Sequence, residues 1–296
     1  MVFVGFGLMR AYLKNHQWSS IGFNLMIGAY ALQLSILSVS FWNFILVKKE
    51  LVKITLDLKA LIVGDFGAAA VLITMGVLLG KASIHQLWLF ATLEVAIFGL
   101  NEALVNGVMK VVDVGGAIYI HVFGAYFGVA ACYFFQRYEA RHSSKGRDEG
   151  DYYSSVIGMI GTLFLFVYWP SFNIALAGGL QERAVINTVF ALTGGCIGAL
   201  GITRMLFQRL DMEVLLNATI SGGVAISSVT CLLVTPGFAL AIGTGAGVIS
   251  GLCLLRMKAW LENGLKLHDT SGIQFSHGFS GILGGVVSGV ATTFAP

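Results

Sequence analysis

Ten apolar segments separated by short polar loops restrict the fold of this chain more than any other feature. A helix needs about 20 apolar residues to cross the hydrocarbon core of a bilayer. Windows near this length, the first of them shorter, lie at 1–14, 19–46, 58–80, 84–110, 114–135, 155–177, 183–207, 212–233, 237–261 and 272–295. Backbone polar groups in lipid must be satisfied within the segment, so such windows form helices. The sequence therefore predicts an all-α polytopic membrane protein with about ten spans.

Composition excludes several other classes of function. Charged residues make up 11% of the chain, against roughly 25% in soluble domains, and the lysines and arginines are spread over short loops, so no nucleic-acid partner is expected. Catalytic signatures such as HExxH do not occur. We therefore predict neither an enzyme nor a cofactor. No metal site is predicted either, because all the cysteines lie in apolar segments without metal-ligand spacing: Cys132, Cys196, Cys231 and Cys253.

The distribution of lysine and arginine predicts the orientation in the membrane. If the loop after the first span is cytoplasmic, 12 of the 18 lysines and arginines face the cytoplasm: Arg10, Lys14, Lys81, Arg137, Arg141, Lys145, Arg147, Arg204, Arg209, Arg256, Lys258 and Lys266. The N-terminus is thus predicted to be extracellular. We expect one transmembrane domain, 1–296, whose halves 1–136 and 154–296 are joined by a cytoplasmic loop, 137–153.

One motif occurs twice, as "DVGGAIYIHVFGAYFG" from Asp113 and as "DTSGIQFSHGFSGILGG" from Asp269. In both copies a histidine lies eight residues after the aspartate, a glycine three after it, and a phenylalanine two after the histidine. The copies open the fifth and tenth apolar segments, so they enter the membrane from opposite faces. This arrangement indicates an inverted repeat, in which the functional site lies near the midplane between the repeats.

The spacing within the motif predicts where its histidines meet. Eight helical residues span about 12 Å, against a half-thickness of about 15 Å for the hydrocarbon core, so both imidazoles fall near the bilayer centre. We interpret His121 and His277 as pore residues, since ionisable groups inside a membrane are functional by default. A packing role, in which each histidine only bonds a neighbouring helix, is the alternative. Asp113 and Asp269 are predicted to cap helix N-termini rather than to bind substrate.

Four segments carry a resemblance to a known family. "GKASIHQL", "DVGGAIYIHVFGAYFG", "MIGTLFLFVYWPSFN" and "NATISGGVA" resemble the Rh glycoprotein branch of the Amt/Mep/Rh ammonium-transporter family, and the likeness covers essentially the whole chain. The resemblance implies an inverted-repeat helical bundle of the ammonium transporter type, with eleven or twelve helices and one pore in each subunit of a homotrimer. The family has one further helix before "MVFVGFG" and another after "GGVVSGVATTFAP".

The resemblance also assigns pore residues. The family's twin pore histidines correspond to His121 and His277, and its stacked phenylalanine gate corresponds to Phe66 in "GDFGAAA" and Phe172 in "WPSFN". An acidic vestibule residue of Rh proteins corresponds to Glu102 in "GLNEALVNG". The predicted topology agrees with this gate, because both phenylalanines fall in the outer half of the membrane.

The remaining expectations concern structural support and function. The family's paired structural aspartates correspond to Asp113 and Asp269, and we expect Asn173 to support the site beside the gate. The resemblance implies a plasma-membrane channel for ammonium and ammonia that conducts neutral NH3, with CO2 as a further substrate attributed to the family. The expected partners are the lipid bilayer and a homotrimer, or a trimer with other Rh subunits.

Three rival interpretations stay open at this point. The chain could be a non-conducting structural or assembly protein of the Rh type, an incomplete fragment of a transporter, or an intramembrane enzyme with histidine and aspartate as acid and base. The retention of both histidines favours the channel over the first rival. Matched spacing across inverted repeats suits a pore better than an enzyme.

Overall fold

The computed structural model describes residues 1–49, 53–135, 150–208, 210–232 and 235–294. These residues form ten α-helices and no strand: α1 Val2–Arg10, α2 Gln17–Asn43, α3 Leu58–Leu78, α4 Ile84–Glu102, α5 Phe123–Phe135, α6 Tyr152–Ile174, α7 Gln181–Phe207, α8 Met212–Ile226, α9 Pro236–Trp260 and α10 Ser280–Phe294. Each helix coincides with one predicted apolar segment. The fold is the expected all-α bundle.

Length and apolar character together distinguish two groups among these helices. Within the described ranges, seven are long and apolar enough to cross a membrane, namely α2 to α7 and α9, and α5 reaches this length only together with the π-helical turn that precedes it, as the span Ala117–Phe134. The other three, α1, α8 and α10, have 9, 15 and 15 residues. Short π-helical turns continue α2, α4 and α9, and two further π-helical turns, Ala117–Val122 and Gln274–Phe279, lead into α5 and α10. The last two occupy equivalent places in the two halves of the chain.

Four helices begin at side chains that cap their first N–H groups. The carboxylates of Asp57 and Asp211 accept from the backbone three residues on, at 2.8 and 3.1 Å, and Ser83 forms a capping box with Gln86. Asp151 forms a second box at the start of α6, where donation from the following backbone N–H groups lowers the pKa of its exposed carboxyl. Such caps satisfy backbone donors that have no partner inside the helix. They explain why these helices begin after the predicted polar loops.

The predicted linker 137–153 between the halves is described only in part. Residues 137–149 lie outside the described residues, and helix α6 begins at Tyr152, after its cap Asp151. The division of the domain into halves 1–136 and 154–296 stays a prediction. The cytoplasmic location of this loop stays a prediction.

Close helix packing depends on small residues. A Cβ at Gly243 of α9, or at Gly222 of α8, would lie 2.0 Å from the Ala191 carbonyl oxygen of α7. A Cβ at Gly161 of α6 would lie 2.1 Å from the Met9 nitrogen of α1. Glycine removes the atom that would otherwise separate these backbones, a common device where helices associate in lipid. The short helices α1 and α8 are therefore held tightly inside the bundle.

The bundle has a buried centre and an apolar outside. In α3 and α8 almost every residue after the first turn is buried. By contrast, the peripheral helices expose large apolar side chains such as Trp18, Met205 and Phe238, which are 84%, 81% and 65% exposed. An apolar outer surface of this kind suits contact with lipid rather than water. The polar residues of the repeated motif lie in the buried centre.

Candidate functional site

The two motif histidines lie together in the core. His121 belongs to the π-helical turn before α5 and His277 to the one before α10. Their Nδ1 atoms are 3.2 Å apart and their rings are tilted by 24°, with centroids 5.2 Å apart. Only one hydrogen fits between two ring nitrogens, so one Nδ1 donates and the other accepts, and the accepting ring is neutral. Both Nε2 atoms are buried and have no hydrogen-bond partner within the described residues.

Asp113 organises the turn that carries His121. Its Oδ2 accepts from the backbone N–H groups of Ile118 and Tyr119 at 2.8 and 3.0 Å, and its Oδ1 accepts from the Ser228 hydroxyl at 2.6 Å. Gly116 between them has a φ of 76°, a left-handed conformation that glycine adopts without strain. The carboxylate therefore reaches donors five and six residues on, further than an ordinary N-cap, because a left-handed residue and a π-helical turn intervene.

Asp269 repeats this arrangement on the other half of the chain. Its Oδ2 accepts from the backbone N–H of Gln274, again five residues on, at 2.7 Å, and Gly272 has a φ of 69°. The adjacent Thr270 hydroxyl lies 3.1 and 3.0 Å from two carbonyl oxygens at the end of α3. Two equivalent carboxylates thus fix the two π-helical turns, and π-helical turns are often found at functional sites.

Aromatic rings enclose the histidine pair. Trp169 of α6 is nearly parallel to both imidazoles, with centroids 5.8 Å from His121 and 6.5 Å from His277. Phe6 of α1 meets the His277 ring edge-on, with centroids 5.6 Å apart. Neither residue was predicted from the sequence. Trp169 lies in the motif "VYWPSFN", so its place beside a predicted gate residue was the available signal.

Phe66 of α3 and Phe172 of α6 form the next layer. Their ring centroids are 4.7 Å apart, and Phe172 lies 6.1 Å from the His121 ring. The two rings are tilted by 53° rather than stacked in parallel, which corrects the expected geometry. They border a cavity of about 360 Å³ whose lining also includes Asp65 and Met1. Asp65, which directly precedes Phe66, was not predicted as a site residue.

Glu102 is not beside the phenylalanines. Its carboxylate accepts from the amide groups of Asn43 at 2.8 Å and Asn106 at 3.4 Å. It lines a separate cavity of about 330 Å³ together with lysines that include Lys48 and Lys59. The carboxylate is therefore held between two helices and close to positive charge.

Asn173 links three helices next to the gate. Its side chain is fully buried, and its Nδ2 lies 3.1 Å from the Thr188 hydroxyl of α7 and 3.3 Å from the Gly223 carbonyl oxygen of α8. The Thr188 hydroxyl in turn contacts that of Thr230 at 3.2 Å. This network joins α6, which carries both Trp169 and Phe172, to α7 and α8.

Arg10 corrects one part of the sequence analysis. It was counted among the loop charges, but it is the last residue of α1 and is fully buried. Its Nη1 donates to the Leu72 carbonyl oxygen at 2.6 Å, and its guanidinium lies 5.0 Å above the Phe6 ring. The first helix ends inside the bundle, so the side chain of its final residue is buried.

The site offers polar atoms within an aromatic enclosure. Within the described part of the chain, no group of three or more His, Cys, Asp or Glu side chains could hold a metal ion. The two histidines can donate and accept hydrogen bonds at the junction of the inverted halves. Apolar spanning helices, an inverted repeat and a central polar pair define a polytopic membrane protein of the channel and transporter class.

Comparison with known sequences identifies the family. The model of the Ammonium Transporter Family matches residues 1–295, and the chain belongs to this family. The ammonium transporter Rh type C of Rattus norvegicus is 36% identical over 299 residues, which cover 100% of this chain and 59% of the relative. The Rh type B protein of Oryctolagus cuniculus is 40% identical over 296 residues, covering 99% and 64%. The chain thus spans about three fifths of the length of these curated relatives.

A solved structure shares the fold. Rh50 of Nitrosomonas europaea, described as belonging to the Rhesus protein family of channels, superposes with a TM-score of 0.89 at 29% sequence identity. The match covers 100% of this chain and 76% of that structure. The resemblance to the Rh branch that the sequence motifs indicated is confirmed.

Proposed function

We propose that this chain forms an Rh-type channel that conducts neutral NH3 past Phe66 and Phe172 and then past the pair His121 and His277. The observation that carries the proposal is the 3.2 Å contact between the two Nδ1 atoms, which leaves both buried Nε2 atoms available. Membership of the Ammonium Transporter Family and the names of the Rh relatives support the substrate class. A transport function accounts for this site better than an enzymatic one.

The chemistry of the enclosure favours a neutral substrate. A permanent cation such as potassium needs oxygen ligands that replace its hydration shell, and aromatic rings around an imidazole pair do not supply such ligands. Ammonium can instead release a proton at the pore entrance and cross as NH3. Loss of its hydrogen bonds would cost an unsolvated NH3 a few kcal/mol. A neutral histidine pair offers one N–H donor and one lone pair at its free nitrogens, so it can compensate for part of that loss.

The flanking residues have proposed supporting roles. Phe66 and Phe172 act as a dynamic constriction, because rotation of either ring about its side-chain bonds would open the path between them. Glu102 is a vestibule acid that attracts ammonium. Asp113 and Asp269 are positioning residues, since they accept from backbone N–H groups of the π-helical turns that carry the histidines, those of Ile118, Tyr119 and Gln274. Asn173 is a positioning residue for α6, since its amide donates to the Thr188 hydroxyl.

We extend the proposal to assembly and location. The protein lies in the plasma membrane with the phenylalanine constriction on the extracellular side, and it assembles as a homotrimer or as a trimer with other Rh subunits. CO2 is a second substrate, because a small apolar molecule fits an aromatic path. Trimeric assembly of the family and the Rh-type relatives support this extension.

Stopped-flow measurement of ammonia permeability in proteoliposomes tests the proposal. We expect His121→Ala and His277→Ala each to lower NH3 permeability about fivefold, because one lost hydrogen bond of about 1 kcal/mol changes a rate by that factor. His85→Ala is the matched control, since His85 is an exposed histidine at the start of α4.

Each outcome of this experiment has a defined meaning. Wild-type permeability in both core variants would refute the pore assignment, and the repeat would then serve packing alone. A wild-type protein that folds and assembles without conducting NH3 would favour the non-conducting assembly protein.

A further inference from the structure

A buried arginine beside the histidine pair has unused hydrogen-bond donors. Arg10 is fully buried, and its Nη1 donates to the Leu72 carbonyl oxygen. Its Nε and Nη2 have no hydrogen-bond partner within the described residues. A guanidinium keeps its proton in proteins, and burying a charge without a full set of partners is unfavourable. The position of this charge therefore needs an explanation beyond packing.

Helix α1 determines where the charge lies. Met1, which precedes the helix, and Phe3 line the cavity above the phenylalanine constriction, and Phe6 contacts His277 edge-on. Arg10 follows Phe6 by four residues, so it lies on the same face of the helix and about 6 Å further along its axis. The guanidinium is thus on the side of the histidine pair that faces away from Phe66.

The surroundings leave space for the guanidinium. Gly76 of α3 leaves this space, because a Cβ at its position would lie 2.7 Å from the Arg10 Nε. The same Cβ would lie 2.7 Å from the side chain of Ile273, the residue directly before the π-helical turn of His277. The Asp269 Oδ1 is also buried without a partner in the described chain, and Asp269 interacts electrostatically with Arg10. Unused donors of Arg10 and an unused acceptor of Asp269 therefore lie in the same region, where α1, α3 and the second motif pack together.

We propose that Arg10 is a selectivity residue, a fixed positive charge that keeps cations out of the path beyond the histidine pair; this inference rests on the proposed function. Its free N–H groups require an acceptor. NH3 and water each carry a lone pair that can accept from Arg10, and each also has N–H or O–H groups for the Asp269 carboxylate. Ammonium has no lone pair and is repelled by the guanidinium. Arg10 therefore admits the neutral molecule and excludes ammonium and potassium.

The test compares Arg10→Met with Arg10→Lys in proteoliposomes of the full chain. Two quantities are measured, the stopped-flow NH3 permeability and the electrical current driven by an ammonium gradient. Arg10→Met removes the charge at similar length, so we expect the current to rise about tenfold or more while NH3 permeability changes only a few-fold. Arg10→Lys keeps the charge and should keep the current at the wild-type level. Arg204→Met is the matched control, because Arg204 is exposed on α7.

The outcomes separate this inference from the proposed function. A folded Arg10→Met protein with wild-type current would overturn the role of Arg10 even if NH3 conduction is normal. A wild-type protein without NH3 permeability would instead refute the proposed function, whereas a cation current that appears only in Arg10→Met would still support the charge barrier. A variant that gains NH3 permeability without current would show that Arg10 blocks the path, which also overturns the inference. If Arg10→Met does not fold, the ammonium-driven current of Arg10→Gln, which is neutral but polar, is measured in its place, and a wild-type current would overturn the inference.

Discussion

Substitution of Asp113 separates the support of the histidine turn from the chemistry of the histidine itself. The Asp113 carboxylate accepts three hydrogen bonds, two from backbone N–H groups at 2.8 and 3.0 Å and one from Ser228 at 2.6 Å. We expect Asp113→Ala to destabilise the protein strongly, because it leaves these donors buried without an acceptor. Asp113→Asn keeps one oxygen for the backbone donors, and its amide can donate to the Ser228 hydroxyl.

The magnitude follows from the number of donors. Each buried donor left unsatisfied costs about 1–3 kcal/mol. The Ser228 hydroxyl can rotate to another acceptor, so the two backbone N–H groups dominate and Asp113→Ala costs about 2–6 kcal/mol. Asp113→Asn costs about 1 kcal/mol, since it exchanges a charged acceptor for a neutral one. At about 2 °C per kcal/mol for a chain of this size, the thermal midpoint should fall by roughly 4–12 °C in Asp113→Ala and by about 2 °C in Asp113→Asn.

The assay is thermal unfolding of the purified protein in detergent, followed by stopped-flow ammonia permeability of each variant. Asp151→Ala is the control, because Asp151 also caps backbone donors but does so in water at the start of α6. Its effect should be smaller, since water replaces the lost acceptor. Equal midpoints for Asp113→Ala and Asp113→Asn would refute the reasoning, as would an Asp151→Ala variant that is destabilised as much as Asp113→Ala.

Three further predictions concern the gate, the packing and the topology. Double replacement of Phe66 and Phe172 by Ala should widen the constriction and raise ion leak, and unchanged leak with unchanged ammonia flux would contradict the gate. Gly243→Ala should lower the thermal midpoint, because its Cβ would lie 2.0 Å from a carbonyl oxygen of α7 and overpacking costs about 1–3 kcal/mol. Gly245→Ala on the same helix should leave the midpoint unchanged, because its Cβ would meet nothing within 4 Å. A single cysteine at position 144, outside the described residues, should resist labelling from outside intact cells.

The sequence was most informative where a physical constraint acts on the whole chain. Lipid requires long apolar helices, so all ten helices could be located from apolar windows alone. The repeat predicted that His121 and His277 approach each other, because an odd number of spans reverses the direction of entry. Only the order of the segments and the spacing of the motif enter this prediction.

The details of the site depended on contacts that no spacing reveals. Trp169 and Phe6 look like ordinary apolar residues, since an aromatic ring has the same hydropathy beside lipid and beside a pore. Arg10 was interpreted as a loop residue because its burial depends on where the short α1 ends. Asp113 accepts from N–H groups five and six residues on, further along the chain than in a usual N-cap. The reason is that a π-helical turn, which needs tertiary packing, replaces an α-helical start.

The contact between the two Nδ1 atoms imposes an asymmetry on a molecule built from two equivalent halves. A single hydrogen between two equivalent nitrogens must belong to one of them, so the two neutral rings are opposite tautomers at any moment: one has a protonated Nε2 and the other a bare one. The backbone motif treats both copies alike, so it does not by itself impose either proton arrangement. Transfer of that hydrogen, together with exchange at the free nitrogens, would reverse the polarity of the pair without moving the backbone. A molecule that meets the pair from one face would then encounter a donor first in one state and an acceptor first in the other.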